Sequence, residues 1–275
     1  VAAGDADEAQ RQAKRADALL EEPPLTMLVS AQAAQMKGDE KAAGAFFKAM
    51  MERPETEFLG LRGLLNQAIK RGDKREALSL ARRAYRLQPK STWVAANMFE
   101  LQTRTGQWND ARVTCDDLRR RKLIDNDEAK RGKAVLSYQL SLEAKAANDT
   151  EGVFDHLRQA NKLAPDFIPA VADLAEYWMA EGKLSKVTKI IEGTWESAPH
   201  PSLVEPFWAA CKAADALDRV KATEKLTKRN PGHLESHIAM AMSSLRAQLW
   251  GEARKHLENA IEASRASAPS PGVAL

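Results

Sequence analysis

The chain has 275 residues, 44% of them hydrophobic and 29% charged, a composition that excludes intrinsic disorder. Its formal net charge of +3 is too close to neutral to point to nucleic-acid binding through bulk charge. Two cysteines, Cys115 and Cys211, argue against a disulfide scaffold, no signal peptide opens the chain, and its apolar runs fall well short of a bilayer span.

The predicted elements follow a period. Gly4, Gly38, Gly72 and Gly106 recur every 34 residues. That is the period of the tetratricopeptide repeat, a helix-turn-helix that cannot bury its apolar face alone and stacks with its neighbours into a solenoid. Around Gly38 stand Ala31, Ala43, Phe47, Met50 and Pro54; around Gly72, Leu65, Ala77, Ala81, Ala84 and Pro89. Around Gly106 stand Phe99, Ala111, Cys115 and Leu118. The next turn is expected at Asn148-Asp149, since Asn tolerates the left-handed conformation that Gly takes freely. Gly182 follows with Ala175, Val187, Ile191, Thr194 and Pro199; a degenerate unit turns at Ala214-Asp215, and the last turns near Gln248. Small residues let paired helices approach, bulky ones fill the gaps, and prolines separate the units.

The fold class predicted is therefore all-α, a right-handed superhelical solenoid of tetratricopeptide repeats forming one array over residues 1–265. It comprises a half repeat over 1–22 and full repeats over about 24–57, 58–91, 92–125, 134–167, 168–201, 202–233 and 234–265, before an irregular tail at 266–275. Because Gly4 occupies a turn, Val1 is expected to begin inside a unit of a longer protein. The step from Gly106 to Asn148 carries eight extra residues, an insertion at about 119–134 read as longer helices flanking a projecting loop. It holds a basic run, Arg119 to Lys122 with Lys130, Arg131 and Lys133, which suits an anionic surface or an acidic partner. Asp117, Asp125, Asp127 and Glu128 blunt its field and favour a solvated projection.

Several segments are more specific than a generic repeat. The run from Glu57 to Gly63 (EFLGLRG) with Gln67-Ala68, Arg83 to Leu87 with Pro89, Leu163 to Phe167 and Leu249 to Arg254 resemble the HemY proteins of proteobacteria. Lys122 to Asp125 with Asp127 to Ala129, Ala198 to Pro201, and Asn230-Pro231 with Glu235 to His237 also fit, and the matches run in the family's order along nearly the whole chain. The resemblance implies a bacterial inner-membrane protein anchored by an N-terminal segment absent from this chain, with its repeat domain on the cytoplasmic face. It implies a non-enzymatic role in haem and porphyrin metabolism through contacts with pathway enzymes. It transfers no catalytic residue.

On such a solenoid the first helix of each unit lines the concave face. The exposed positions there are Arg62, Asn66 and Lys70, then Trp93, Asn97, Glu100 and Arg104, then Tyr138, Glu176, Glu205, Trp208 and Met242. Arg62, Asn66 and Asn97 fill three slots of a clamp for a C-terminal carboxylate, since Arg and amide donors suit that group. The other two basic slots hold Val135 and Gln139, so a general peptide groove is the broader reading, and a solvated helix face the plain one. Trp93, Tyr138 and Trp208 are candidate anchors for a partner or packing residues between repeats. Trp108, Trp178, Trp195 and Trp250 lie off the concave slots and are expected in the core.

His233 and His237 stand four apart, a spacing that can place two ligands on one helix face, yet His233 follows Pro231-Gly232 at a helix start. No HExxH, CxxC, CxxCH, phosphate-loop or nucleophile-elbow motif occurs. The expectation is a protein-binding scaffold with protein partners and without catalysis, cofactor, metal or nucleic acid. Direct haem or porphyrin binding and general envelope assembly are the alternatives.

Overall fold

The computed structural model describes residues 23–267, with Glu8, Arg11, Gln12 and Arg15 before them. Apart from those four, the residues of the expected half repeat over 1–22, and most of the tail, lie outside the described residues. The described residues contain 14 α-helices and no strand. They are α1 (Pro23–Met36), α2 (Glu40–Met51), α3 (Glu57–Arg71), α4 (Lys74–Leu87), α5 (Thr92–Arg104), α6 (Trp108–Arg120) and α7 (Asn126–Ala146). After these come α8 (Thr150–Leu163), α9 (Ile168–Ala180), α10 (Leu184–Trp195), α11 (Val204–Ala210), α12 (Ala216–Thr227), α13 (Leu234–Arg246) and α14 (Trp250–Ser267). A 3-10 turn, Pro201–Leu203, leads into α11. The chain divides into two compact units, residues 1–129 and 130–275.

One local device builds the hairpins of both units. The first helix of a pair ends on a left-handed residue: Gly38, Gly72, Gly106 and Gly182, with φ between 68° and 76°. At the other ends the same role falls to Asn148, Lys212 and Gln248, with φ between 55° and 59°. The next amide then reaches back into the last helical turn. Asp39 N–H bonds Ala34 O at 2.9 Å, Asp73 N–H bonds Ala68 O at 3.0 Å, and Asp149 N–H bonds Ala144 O at 2.9 Å. Lys183, Ala213 and Leu249 repeat the bond to Trp178, Trp208 and Ser244. This is the closure that satisfies orphan carbonyls at a helix end. Where Asp follows, its carboxylate starts the second helix: Asp39 accepts from Ala42 N–H at 2.9 Å and Asp73 from Glu76 N–H at 2.9 Å. A Gly-Asp pair thus stops one helix and starts the next. In the degenerate unit Ala214 and Asp215 lie in the turn between α11 and α12; Lys212 takes the left-handed conformation there, and Asp215 caps α12 by accepting from Asp218 N–H.

The extra residues after Gly106 do not lengthen both flanking helices. α6 ends at Arg120, closed by left-handed Lys122, and α7 alone is long, at 21 residues. The remaining linker, residues 121–125, is short, and Asp125 accepts from the N–H groups of Asp127 and Glu128 to start α7.

In the first unit the core joins Ala31, Ala43, Phe47, Met50 and Leu64, then Leu65, Ala77, Ala81 and Leu101. The glycines of the Glu57–Gly63 run have a steric cause. A Cβ on Gly60 would stand 2.5 Å from Phe47 O, and one on Gly63 would stand 2.3 Å from the Phe47 ring. α3 therefore lies directly on α2, and Glu57 in its first turn holds Arg83 of α4, whose Nε donates at 2.8 Å. Buried Gln67 adds a polar link, donating to Glu40 O at 2.9 Å and to its carboxylate at 2.7 Å. In the second unit the core centres on Val187, Ile191, Trp195, Leu203, Phe207 and Leu226. Trp195 is fully buried, and its indole N–H donates to Ser236 Oγ at 2.9 Å, which ties α10 to α13.

Two substitutions test this packing. Gly60→Ala gains about 1 kcal/mol of helix propensity, yet is expected to lower stability by about 1–3 kcal/mol, because α3 must move off Phe47. Gly193→Ala, where nothing lies within 4 Å of the added methyl, is expected to raise stability by up to about 1 kcal/mol. Urea unfolding of the two variants gives opposite signs if the packing is as described.

Candidate functional site

The nominated residues of the first unit lie on α3 and α5, the first helices of successive hairpins. The structure brings two of them together: the Arg62 guanidinium sits over the Trp93 indole, 4.9 Å from its centroid. Such a contact contributes about 0.5–1 kcal/mol at an exposed site. Trp93 is itself half-buried against the core around Leu65 and Leu61. Asn97 turns its amide to its own helix, donating to Trp93 O at 2.8 Å. Lys70 pairs with Glu40 at 2.9 Å, and Glu100 with Arg104 at 2.7 Å. Asn66 is exposed. A carboxylate clamp from Arg62, Asn66 and Asn97 would have to draw two of its three members away from these partners.

Tyr138, on α7 in the second unit, is half-buried and meets Phe167 edge-on, 5.5 Å between centroids at 89°. Burial raises its phenol pKa, and the charge and hydrogen bond of Asp173 add to the shift. Nearby, a cavity of about 340 Å³ is lined by Ser141, Leu142, Lys145, Asp173, Glu176 and Tyr177 among others.

Trp208 is a core side chain and not an open anchor: it is 6% exposed, and its indole N–H donates to Thr223 Oγ1 at 2.8 Å. The guanidiniums of Arg219 and Arg246 stand 5.4 and 5.3 Å from its ring centroid. One edge of the ring nevertheless floors a groove of about 330 Å³ between α11 and α13, with Val204, Glu205, Ile238, Met242 and Arg246 around it. Met242 is 48% exposed, and Arg246 reaches Glu205 across the groove at 3.7 Å. An apolar floor with one ion pair across it suits an amphipathic helix or an extended peptide. Sequence spacing placed Glu205, Trp208 and Met242 on this face; it did not nominate Arg246, Val204 and Ile238, which also line the groove.

The off-groove tryptophans divide. Trp195 is core and Trp178 half-buried, but Trp250 is 64% exposed, so its placement in the core is corrected. It is the first residue of the last described helix, α14. The histidine pair of the sequence also separates. His233 caps α13, its Nδ1 accepting from Glu235 N–H at 3.1 Å, while His237 faces His256 of α14.

One family match agrees with the repeat geometry. Residues 68–136 match a family model described as tetratricopeptide repeat. The class is thus an all-α tetratricopeptide-repeat solenoid. The chain is similar to "Probable magnetosome protein Mms48" of Magnetospirillum gryphiswaldense, 23% identical over 167 residues, or 60% of this chain; the match spans 36% of that relative's length. Among solved structures, it is similar to a tetratricopeptide repeat protein from Parabacteroides merdae, with a TM-score of 0.37, 16% identity, and coverage of 87% of this chain and 93% of that one. PilF of Pseudomonas aeruginosa gives a TM-score of 0.37 at 12% identity, covering 81% of this chain and 98% of that one. MamA gives a TM-score of 0.30 at 14% identity, covering 79% and 97%.

In the first unit the arginines of the basic run are engaged locally. Arg121 Nε bonds Asp117 at 2.7 Å, Arg120 reaches the same carboxylate at 3.5 Å, and Arg119 stands 3.9 Å from Asp116. Asp117 also accepts from the Tyr85 hydroxyl. Burial, then the bond and charge of Asp117, push the Tyr85 phenol from 10.0 up to about 12. A raised folded pKa means that the folded chain holds this proton more tightly. The resulting stabilisation is complete below pH 10 and is lost as pH rises through about 12. Asp117→Asn is expected to bring the Tyr85 titration, followed by ultraviolet difference absorbance, back toward 10.

Proposed function

We propose that this chain is a non-enzymatic scaffold that docks a helix or extended peptide of a partner protein on the first helices of its repeats. The observation that supports it most directly is the groove between α11 and α13: an apolar floor of Val204, Trp208 and Ile238, a half-exposed Met242, and the Glu205–Arg246 pair across it. Shape and a small number of polar groups make such a surface a reversible docking site. Arg62, Asn66, Lys70, Trp93, Asn97, Glu100 and Arg104 form the corresponding surface of the first unit.

The partners proposed are enzymes of haem and porphyrin biosynthesis, held near the bacterial inner membrane. That identity rests on the HemY resemblance. A membrane anchor is part of the same proposal; among the described residues no helix is long and apolar enough to cross a membrane. A second reading, a general scaffold for envelope assembly, rests on the repeat class alone, and partner identity separates the two.

The test is co-purification from bacterial membranes with folded bait. Enrichment of a tetrapyrrole-pathway enzyme supports the first reading; enrichment of envelope assembly proteins alone supports the second. For a partner so identified, Met242→Glu is expected to weaken binding at least tenfold while leaving the melting temperature unchanged, because the side chain is half-exposed. Unchanged affinity in Met242→Glu and in Arg62→Glu with Asn97→Ala, all folded, would remove both helix faces as the docking surface.

A further inference from the structure

α13 and α14 bring together two histidines that lie 19 residues apart in the chain. His237 Nδ1 and His256 Nδ1 are 3.3 Å apart, and their rings are 5.6 Å between centroids at a tilt of 38°. Both side chains are half-buried. The nitrogens face each other, so in the neutral pair one Nδ1 carries the proton and donates to the other. Such a pair has one proton for two inward lone pairs and a free tautomeric choice at each outer nitrogen.

The same spacing has a second use. Two imidazole nitrogens bound about 2.0–2.1 Å from one tetrahedral ion lie about 3.3–3.4 Å apart. We propose that His237 and His256 form a two-histidine site for a divalent transition ion of the borderline class, Zn²⁺, Cu²⁺ or Ni²⁺. A small pivot of each ring converges both Nδ1 lone pairs on an ion beside the line that joins them. Both rings then carry their proton on Nε2, so the protein loses no proton when both start neutral.

The surroundings suit this site. Glu252, one helical turn before His256 on α14, lies near enough for its charge to act on the His256 ring, and Lys255 acts in the opposite sense. Each ring ligates only as neutral imidazole, so binding is expected to weaken as pH falls. Among the described residues no set of three His, Cys, Asp or Glu converges on one point. Water therefore completes the coordination, and exchangeable positions remain open. His233, the partner that spacing in the sequence suggested for His237, is already committed to its helix cap.

The test uses the whole 275-residue chain with Cu²⁺ and Zn²⁺ as probes, by calorimetry and electron paramagnetic resonance at pH 7.5. One ion per chain is expected, with nitrogen ligation in the Cu²⁺ spectrum. His237→Gln and His256→Gln should each weaken binding at least tenfold, His200→Gln should not, and binding should fall at least tenfold at pH 5.5. Affinity unchanged in both variants, or no binding at millimolar ion, overturns the site and leaves a hydrogen-bonded pair alone. If either variant misfolds, ¹⁵N imidazole spectra of the unaltered chain decide: Zn²⁺ must shift Nδ1 of both His237 and His256, and shifts confined to other histidines overturn it.

Discussion

Every hairpin among the described residues depends on one backbone event, the passage of a single residue into the left-handed region at the end of its first helix. That residue turns the chain so that the following amide can bond a carbonyl near the end of the first helix, and the second helix starts at once. Helix pairs joined this tightly must pack face to face, which is why alanines such as Ala31, Ala43, Ala77 and Ala81 fill the crossings. Where glycine is absent, Asn148, Lys212 and Gln248 adopt the same conformation. Tertiary packing holds them there against the modest strain of a left-handed L-residue.

Packing then decides which polar groups remain for function. Glu57, Gln67, Glu192 and Thr194 are drawn into links between helices. Glu192, for instance, holds Lys225 and Arg229 at 2.8 Å each, and Thr194 donates to Pro165 O at 3.1 Å. The first-unit surface is knitted to itself through Arg62 on Trp93 and Lys70 on Glu40. The groove of the second unit keeps an exposed apolar side chain, Met242, beside an ion pair long enough to be exchanged for a partner's groups.

The repeat class was legible from glycine spacing alone, and the turns at Asn148 and Gln248 could be placed because the residues around them kept the pattern. In the degenerate unit the turn could be placed but not its left-handed residue, Lys212, since a lysine carries no signal for that conformation. The Glu57–Gly63 run reads in sequence as a family mark. In the structure its two glycines answer to the bulk of Phe47, a residue at another place in the chain. Trp208 had the right register for the concave face and still went into the core, because Thr223 of the next helix offers its indole a partner. His256 lay outside every local motif, since its partner is on the preceding helix.

Local chemistry is what the amino-acid order by itself determined: helix periodicity, left-handed stops, aspartate starts, and hence a stack of helical hairpins. These follow from interactions within a few residues, which any reader of the chain can see. Tertiary structure alone decided which side of each helix met a neighbour. It sent Trp195 inward and left Trp250 outside, opened a groove between α11 and α13, and set His237 against His256. Those outcomes depend on close packing between segments distant in sequence, where a displacement of an ångström changes which side chains meet.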